Sequence, residues 1–218
     1  MSNINLNELR DRAYKTACEH GFHDKELSNE HFFCLIISRL GKAVEAGRKG
    51  KRADRESFKS SYENEEPHDD ANFKYCFEKY IKDTLPDELS EVVIRLLDLA
   101  GLRGISLESA SEDINSEYID DIAYMYSKFS FAEAIYIISV IPFEYYSDFS
   151  TAVNYMIFSI FAFSKHLDID LLWHIEQKMR YNELRPMFHG KNIDYENNYI
   201  YNYMCYRPIM GWRSHNYI

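Results

Sequence analysis

Proline and glycine, the two residues that interrupt helices, are scarce in this chain, and long segments contain neither of them. Proline occurs 5 times and glycine 8 times in 218 residues. Such a distribution favours an all-helical protein over a β-sandwich or an α/β fold. With 46% hydrophobic residues, the chain is also long enough to bury a sizeable core. We therefore expect an all-α helical bundle.

One segment, TLPDELSEVVIRLLDLAG, carries signals for both of its ends. Thr84 is a good N-cap, Pro86 is tolerated in the first turn, and Asp87 favours the helix dipole. Gly101 is expected to end this helix. Ser28 or Asn29 can cap an earlier helix. The remaining periodicity predicts helices over 5–19, 29–47, 73–82, 113–127, 130–141, 150–166 and 168–185.

Residues 48–72 are strongly charged and show little apolar periodicity, so a solvated connection with a short helical piece is expected. We assign 1–191 to one all-α domain, with a first half over 1–108 and a second half over 109–191. The similar pieces 92–108 and 156–172 suggest a weak internal duplication or a chance likeness of two amphipathic helices.

The tail 192–218 holds six tyrosines together with Trp212. Disordered tails are poor in aromatic residues, so this Tyr-rich C-terminal arm is expected to pack over the domain. A contact with a partner or with a second subunit is the alternative, because aromatic side chains are common at interfaces.

Charge and cysteine content exclude several classes of protein. The net charge of −10 argues against nucleic-acid binding, although a small anion needs only a local cationic pocket. The most apolar run, 151–163, is too short to cross a membrane and predicts a buried helix. The N-terminus is polar and the four cysteines form no CxxC pair, so we expect reduced thiols and a cytoplasmic protein.

Three pieces of the chain together resemble the MazG-like branch of the all-α nucleoside triphosphate (NTP) pyrophosphohydrolases, which are related to the dimeric dUTPases. They begin with GFHD and LIISRLGKAVEAGRKGKRAD, continue with FEKYIKDTLPDELSEVVIRLLDLAGLRGISLE, and end with HIEQKMRYNELRPMFHGK. The resemblance covers about half of the chain in the family's order. It implies a helical bundle, a possible homodimer, and a Mg²⁺ ion held by ExxE on one helix and ExxD on the next.

The second half of that metal motif is present. Glu88 and Glu91 match ExxD, with glutamate in place of the final aspartate. Asp98, two turns further on, lies where the resemblance places a polar residue that contacts a sugar. Such carboxylates suit Mg²⁺, which prefers hard oxygen ligands and neutralises phosphate charge during hydrolysis.

The first half of the motif is altered. Arg39 and Lys42 stand at the positions of its two glutamates, three residues apart and therefore on one helical face. The adjoining Glu45 remains, either as a further ligand or as a surface residue. The two cations are expected to pair with Glu88 and Glu91 across the helix interface in place of a metal. The alternative is that these charges lie on solvated faces, with Glu91 pairing Arg95 at i+4.

The third piece carries residue types that bind phosphate. Lys178, Asn182 and Arg185 are spaced i, i+4 and i+7, which places them on one helical face. His189 and Lys191 follow in the loop. In the resembled family this basic segment is expected to contact phosphates. The alternative is a solvated helix end whose cations favour the dipole.

The expected function is therefore that of a MazG-related protein that binds a nucleotide or another small phosphorylated ligand, with weakened or lost hydrolysis. An active pyrophosphohydrolase that uses Glu45, Glu88, Glu91 and Asp98 is one alternative, and only that activity would need Mg²⁺. A helical interaction protein that binds no nucleotide is another. Binding to nucleic acid or to a membrane is not expected.

Overall fold

The computed structural model describes residues 4–63 and 68–186, and over these residues the protein is an all-α bundle without strands. The expectation of a helical fold is confirmed. The helices are α1 Leu6–Glu19, α2 Asn29–Arg48, α3 Arg55–Glu63, α4 Asp70–Tyr80, α5 Leu85–Arg103, α6 Glu108–Asn115, α7 Tyr118–Tyr126, α8 Phe131–Glu144, α9 Phe149–His166 and α10 Leu171–Glu183.

Helix α5 lies at the centre of the bundle and packs against α1, α2, α9 and α10. Most of its residues are buried, including three acidic ones in its first two turns. A helix that is surrounded in this way must bring its polar side chains into contact with polar groups on its neighbours. The candidate site is formed by these contacts.

The ends of α5 differ in detail from the prediction. Thr84 occupies the N-cap position, but its hydroxyl donates to the Ile81 carbonyl at 2.6 Å and caps nothing. The helix continues through Gly101 and ends at Gly104, whose φ of 64° is the left-handed conformation that terminates helices. Gly101 instead allows close packing, because a Cβ there would lie 2.5 Å from Cβ of Tyr14 on α1.

The charged segment 48–72 contains α3, and this helix contributes to the core. Phe58 is 2% exposed and packs with Phe73 of α4 and Trp173 of α10. A second hydrophobic cluster, rich in aromatic residues, therefore lies beside the main core and is formed by α3, α4 and α10. The prediction of a short helical piece is confirmed, but the segment is not wholly solvated.

The prediction of a single helix over 113–127 is wrong, because the chain turns between α6 and α7. Ser116 has an extended backbone, with φ −95° and ψ 169°. Asn115 at the end of α6 donates to the carbonyls of Ile4 and Ser111 and accepts from the Ile4 amide. These bonds tie the end of α6 to the segment that precedes α1.

The apolar run 151–163 forms most of α9, and it is a buried core helix as predicted. In the described part of the chain, no helix combines the length and the apolar character that a membrane span requires. The internal duplication stays a prediction. The Tyr-rich arm 192–218 lies outside the described residues.

Candidate functional site

The centre of the site is an ion pair between α5 and α10. The Lys178 ammonium lies 2.9 Å from Oδ1 of Asp87 and 3.1 Å from Oδ2, to which it donates a hydrogen bond. The Asp87 side chain is 1% exposed and that of Lys178 is 11% exposed. Oδ2 also accepts from the backbone amide of Asp83 at 2.8 Å. Burial raises the pKa of Asp87, and the attraction of Lys178 opposes that rise.

Glu91, one turn further along α5, is enclosed by positive groups. Oε1 accepts from Nε of Arg95 at 3.1 Å, while Oε2 lies 3.9 Å from the Lys178 ammonium and 3.4 Å from Nδ2 of Asn182. Burial alone would raise the pKa of Glu91. The charges of Lys178, Arg95 and Arg39 outweigh burial and hold this pKa below its usual value. Glu91 is therefore a well-compensated carboxylate.

Glu88 faces α2 and is less well compensated. Its Oε2 atom lies 3.9 Å from Nη1 of Arg39, which is an ion contact but too long for a hydrogen bond. Burial and the neighbouring Asp87 raise the pKa of Glu88, with Arg39 and Lys42 acting against the rise. The Oε2 atom is buried and has no hydrogen-bond partner among the described residues. Glu88 thus has an unused acceptor.

The two other residues expected from α2 lie on its solvated side. Lys42 is exposed, and it affects Glu88 through charge without a direct contact. Glu45 is exposed and pairs along its own helix with Lys49 at 2.8 Å and with Arg48 at 4.0 Å. The hydrogen bond from Lys49 lowers the pKa of Glu45. The structure therefore does not bring Glu45 to the carboxylates of α5.

Asp98 lies two turns from Glu91 and forms a separate pair. Its Oδ1 atom is 2.7 Å from Nε2 of His23, and both side chains are largely buried. Burial raises the pKa of Asp98, with His23 opposing the rise. The aromatic rings of Tyr14 and Phe32 lie near the imidazole. Asp98 is thus engaged by a histidine to which we assigned no role from sequence.

The basic face predicted on the last helix divides into two parts. Lys178 and Asn182 share a face, as their spacing indicates, but that face contacts the carboxylates of α5. Arg185 follows the end of α10 and is exposed, and its carbonyl oxygen lies 2.9 Å from a ring nitrogen of His20. His189 and Lys191 lie outside the described residues.

The arrangement does not fit a Mg²⁺ ion. In the ranges 4–63 and 68–186, no group of three or more histidine, cysteine, aspartate or glutamate side chains is placed to hold a metal. The ammonium of Lys178 lies between the carboxylates of Asp87 and Glu91 and offers no acceptor atom. Arg39 faces Glu88 from the opposite helix. Fixed positive charge therefore stands where a cation would need oxygen ligands.

Sequence reasoning missed two members of this set, Asp87 as the partner of Lys178 and His23 as the partner of Asp98. The first pair is separated by 91 residues along the chain and the second by 75. Asp87 was interpreted as a residue that favours the helix dipole, and nothing local distinguishes that role from an ion pair. The one available signal is the composition of α5. This helix is so apolar that it must be buried, and its acidic residues are then buried with it and need partners.

Comparisons of the chain with protein-family models, with curated proteins and with solved structures find no match. The assignment of a function therefore depends on the geometry of the site and on the resemblance of the three sequence pieces.

Proposed function

We propose that this protein is a metal-independent relative of the all-α NTP pyrophosphohydrolases, which binds a nucleotide or another small phosphorylated ligand without hydrolysing it. The observation that carries this proposal is the Lys178 ammonium, which lies 2.9 Å from Asp87 and 3.9 Å from Glu91. An ammonium group in that position supplies the positive charge that these carboxylates would otherwise draw from a metal ion.

The positions of the cations support the loss of hydrolysis. Mg²⁺ in phosphate chemistry requires oxygen ligands in octahedral geometry and retains several waters. Lys178 and Arg39 bring positive charge to Glu91 and Glu88 from two other helices. A divalent cation would be repelled by both groups. The chain's own side chains thus neutralise the carboxylates but provide no activated water.

The placement of α2 against α5 supports the relationship to this family. Arg39 occupies the position of the first glutamate in the resembled metal motif, and its guanidinium lies 3.9 Å from Glu88 of the second motif. The contact is the one that the family resemblance predicts for the residues of a former metal site.

The experiment is an assay for pyrophosphate release from a panel of ribo- and deoxyribonucleoside triphosphates, with Mg²⁺ or Mn²⁺ and with EDTA. We expect no metal-dependent turnover, while the same nucleotides raise the melting temperature in EDTA by mass action. Turnover that disappears in EDTA would identify an active enzyme. The absence of both turnover and a thermal shift would favour a helical interaction protein.

A further inference from the structure

The cations that surround Glu88 and Glu91 on the solvent side have hydrogen-bond donors that no described residue uses. The Arg39 side chain is 27% exposed, and it donates no hydrogen bond to any residue within 4–63 or 68–186. Lys42, three residues away on the same face, forms no ion pair within those ranges. Arg95 is 31% exposed and uses Nε for Glu91. Its two terminal nitrogens donate to no acceptor in the described part of the chain.

Charge at this position is favourable for an anion. Lys178 partly compensates Asp87 and Glu91 from the α10 side. Arg39 of α2 lies 3.9 Å from Glu88, Arg95 of α5 lies 3.1 Å from Glu91, and the exposed Lys42 acts on Glu88 through its charge. Three cations therefore stand beside two carboxylates. This local excess is notable in a chain with a net charge of −10. Arginine offers a planar fork that matches phosphate oxygens, and lysine adds a point charge.

A second observation points to a ligand that carries hydrogen-bond donors as well as negative charge. Oε2 of Glu88 is buried and lacks a hydrogen-bond partner in the described part of the chain, although the Glu88 side chain is only 9% exposed. Oδ1 of Asn182 is likewise buried and unpartnered there. Buried acceptors are normally satisfied. A fully ionised phosphate has no donor that could satisfy them, whereas a sugar hydroxyl group has one.

We propose that Arg39, Lys42 and Arg95 bind the phosphate of a phosphorylated sugar, while Oε2 of Glu88 accepts a hydrogen bond from one of its hydroxyl groups. The site lies between α2 and α5, and it differs from the C-terminal basic segment that the sequence predicted. The proposal deepens the proposed function and rests on its phosphate-binding part. It names the groups of a nucleotide, the phosphate and the sugar, that this chain would recognise.

The test uses isothermal titration calorimetry of the full chain in EDTA with ribose 5-phosphate as the probe. Arg39→Gln combined with Lys42→Gln should weaken binding by about tenfold or more, as loss of charge-assisted hydrogen bonds predicts. The matched control is Arg48→Gln with Lys49→Gln, which removes the same charge from the solvated end of α2. The control should change the affinity by less than about twofold.

The hydroxyl contact has its own test. Methyl phosphate has nearly the same charge as ribose 5-phosphate but no hydroxyl group, so the native protein should bind it more weakly. Glu88→Met should abolish that difference and should strengthen binding of inorganic phosphate, because a negative charge is removed. If melting curves show that Glu88→Met does not fold, the comparison of the two ligands on the native protein decides the point.

Equal weakening by both double variants would show diffuse attraction and overturn the proposal. Unchanged binding in Arg39→Gln with Lys42→Gln would overturn it as well, and would place the phosphate elsewhere, for example at the C-terminal basic segment. The probes contain no phosphoanhydride bond, so these results do not depend on hydrolysis. Failure of this inference is therefore distinguishable from metal-dependent turnover, which would contradict the proposed function.

Discussion

The Lys178 ammonium and the Asp87 carboxylate lie 2.9 Å apart in the interior of the bundle, where α10 packs against α5. Removing two charges from water is costly, and their attraction offsets that cost when further hydrogen bonds are present. Asp87 has one from the Asp83 amide. Breaking this pair should therefore destabilise the folded protein far more than the intact pair stabilises it.

Replacing the cation of this pair tests its burial. Lys178→Met keeps a side chain of similar length but leaves Asp87 buried without its partner. We expect the free energy of unfolding to fall by about 3–5 kcal/mol, measured by urea denaturation.

The matched control is Lys165→Met. Lys165 lies 2.6 Å from Asp120, a shorter distance, but the two side chains are 46% and 64% exposed. The control should cost less than about 1 kcal/mol. Similar losses in the two variants would show that burial does not govern the Lys178 pair.

Reversing the charges on α2 tests whether Arg39 and Lys42 stand at the metal-ligand positions that the family resemblance implies. Arg39→Glu with Lys42→Glu brings two further carboxylates towards Glu88, and we expect a loss of about 1–3 kcal/mol in EDTA. Millimolar Mg²⁺ or Mn²⁺ should restore part of this stability, because a metal that binds only the folded protein stabilises it. The native protein should show no such effect.

The control for this charge reversal is Arg39→Gln with Lys42→Gln, which removes both cations without adding carboxylates, and metal should make no difference to it. Thermal melts with and without metal are the measurement. A melting temperature of the first double variant that metal leaves unchanged would contradict the placement of Arg39 opposite Glu88.

Glu88 and Glu91 are expected to affect stability in opposite directions as the pH changes. The pKa of Glu88 is raised above its ordinary value of 4.5, so its contribution is fully present below pH 4.5 and is lost as the pH rises through the raised pKa. The pKa of Glu91 is lowered, so its contribution is present above pH 4.5 and is lost as the pH falls through the lowered pKa.

The isosteric variants Glu88→Gln and Glu91→Gln separate these two effects. As the pH rises from an acidic value below both pKa values to neutral, Glu88→Gln should gain stability relative to the native protein, and Glu91→Gln should lose stability relative to it. Urea denaturation over that range is the measurement. Changes of the same sign in both variants would contradict the compensation that we assign to Lys178, Arg95 and Arg39.

Two glycines within helices should respond oppositely to alanine. Gly41 on α2 has no atom within 4 Å of the position that a Cβ would take, so Gly41→Ala should stabilise the protein by about 1 kcal/mol through helix propensity. At Gly101 the Cβ would lie 2.5 Å from Tyr14, and Gly101→Ala should cost about 1–3 kcal/mol. Thermal or urea denaturation measures both variants. Stabilisation by Gly101→Ala would indicate that α1 and α5 are not tightly packed there.

The parts of the fold that depend on local signals were predictable from sequence. Ser28 accepts from the His31 amide at the start of α2, as a capping residue should. The break between α6 and α7 was not predictable, because no glycine or proline marks it and the turn is held by bonds from Asn115 to Ile4. The end of α5 at Gly104 was missed for a related reason. Two glycines stand three residues apart, and packing against Tyr14 decides which of them lies inside the helix.

For the candidate site, the resemblance of the sequence pieces supplied the one long-range expectation. The contact between Arg39 and Glu88 joins residues on two helices that this resemblance relates to each other. Lys178 was predicted to be a functional residue, but the group that it contacts was not predicted. The spacing along α10 shows that Lys178 and Asn182 share a helical face, but it does not show which neighbouring helix that face packs against. The partner of a buried charge is a tertiary property, and neither Asp87 nor Lys178 carries a local sign of the other.

The separation of 91 residues between Asp87 and Lys178 has a consequence for how the protein is made on the ribosome. At ordinary translation rates, Lys178 is added roughly 5 to 20 s after Asp87. During that interval α5 can meet α1 and α2 but not α10, and its carboxylates must remain hydrated. Complete burial of α5 is therefore delayed until late in synthesis, and nascent chains arrested before α10 should expose this helix to chaperones and proteases.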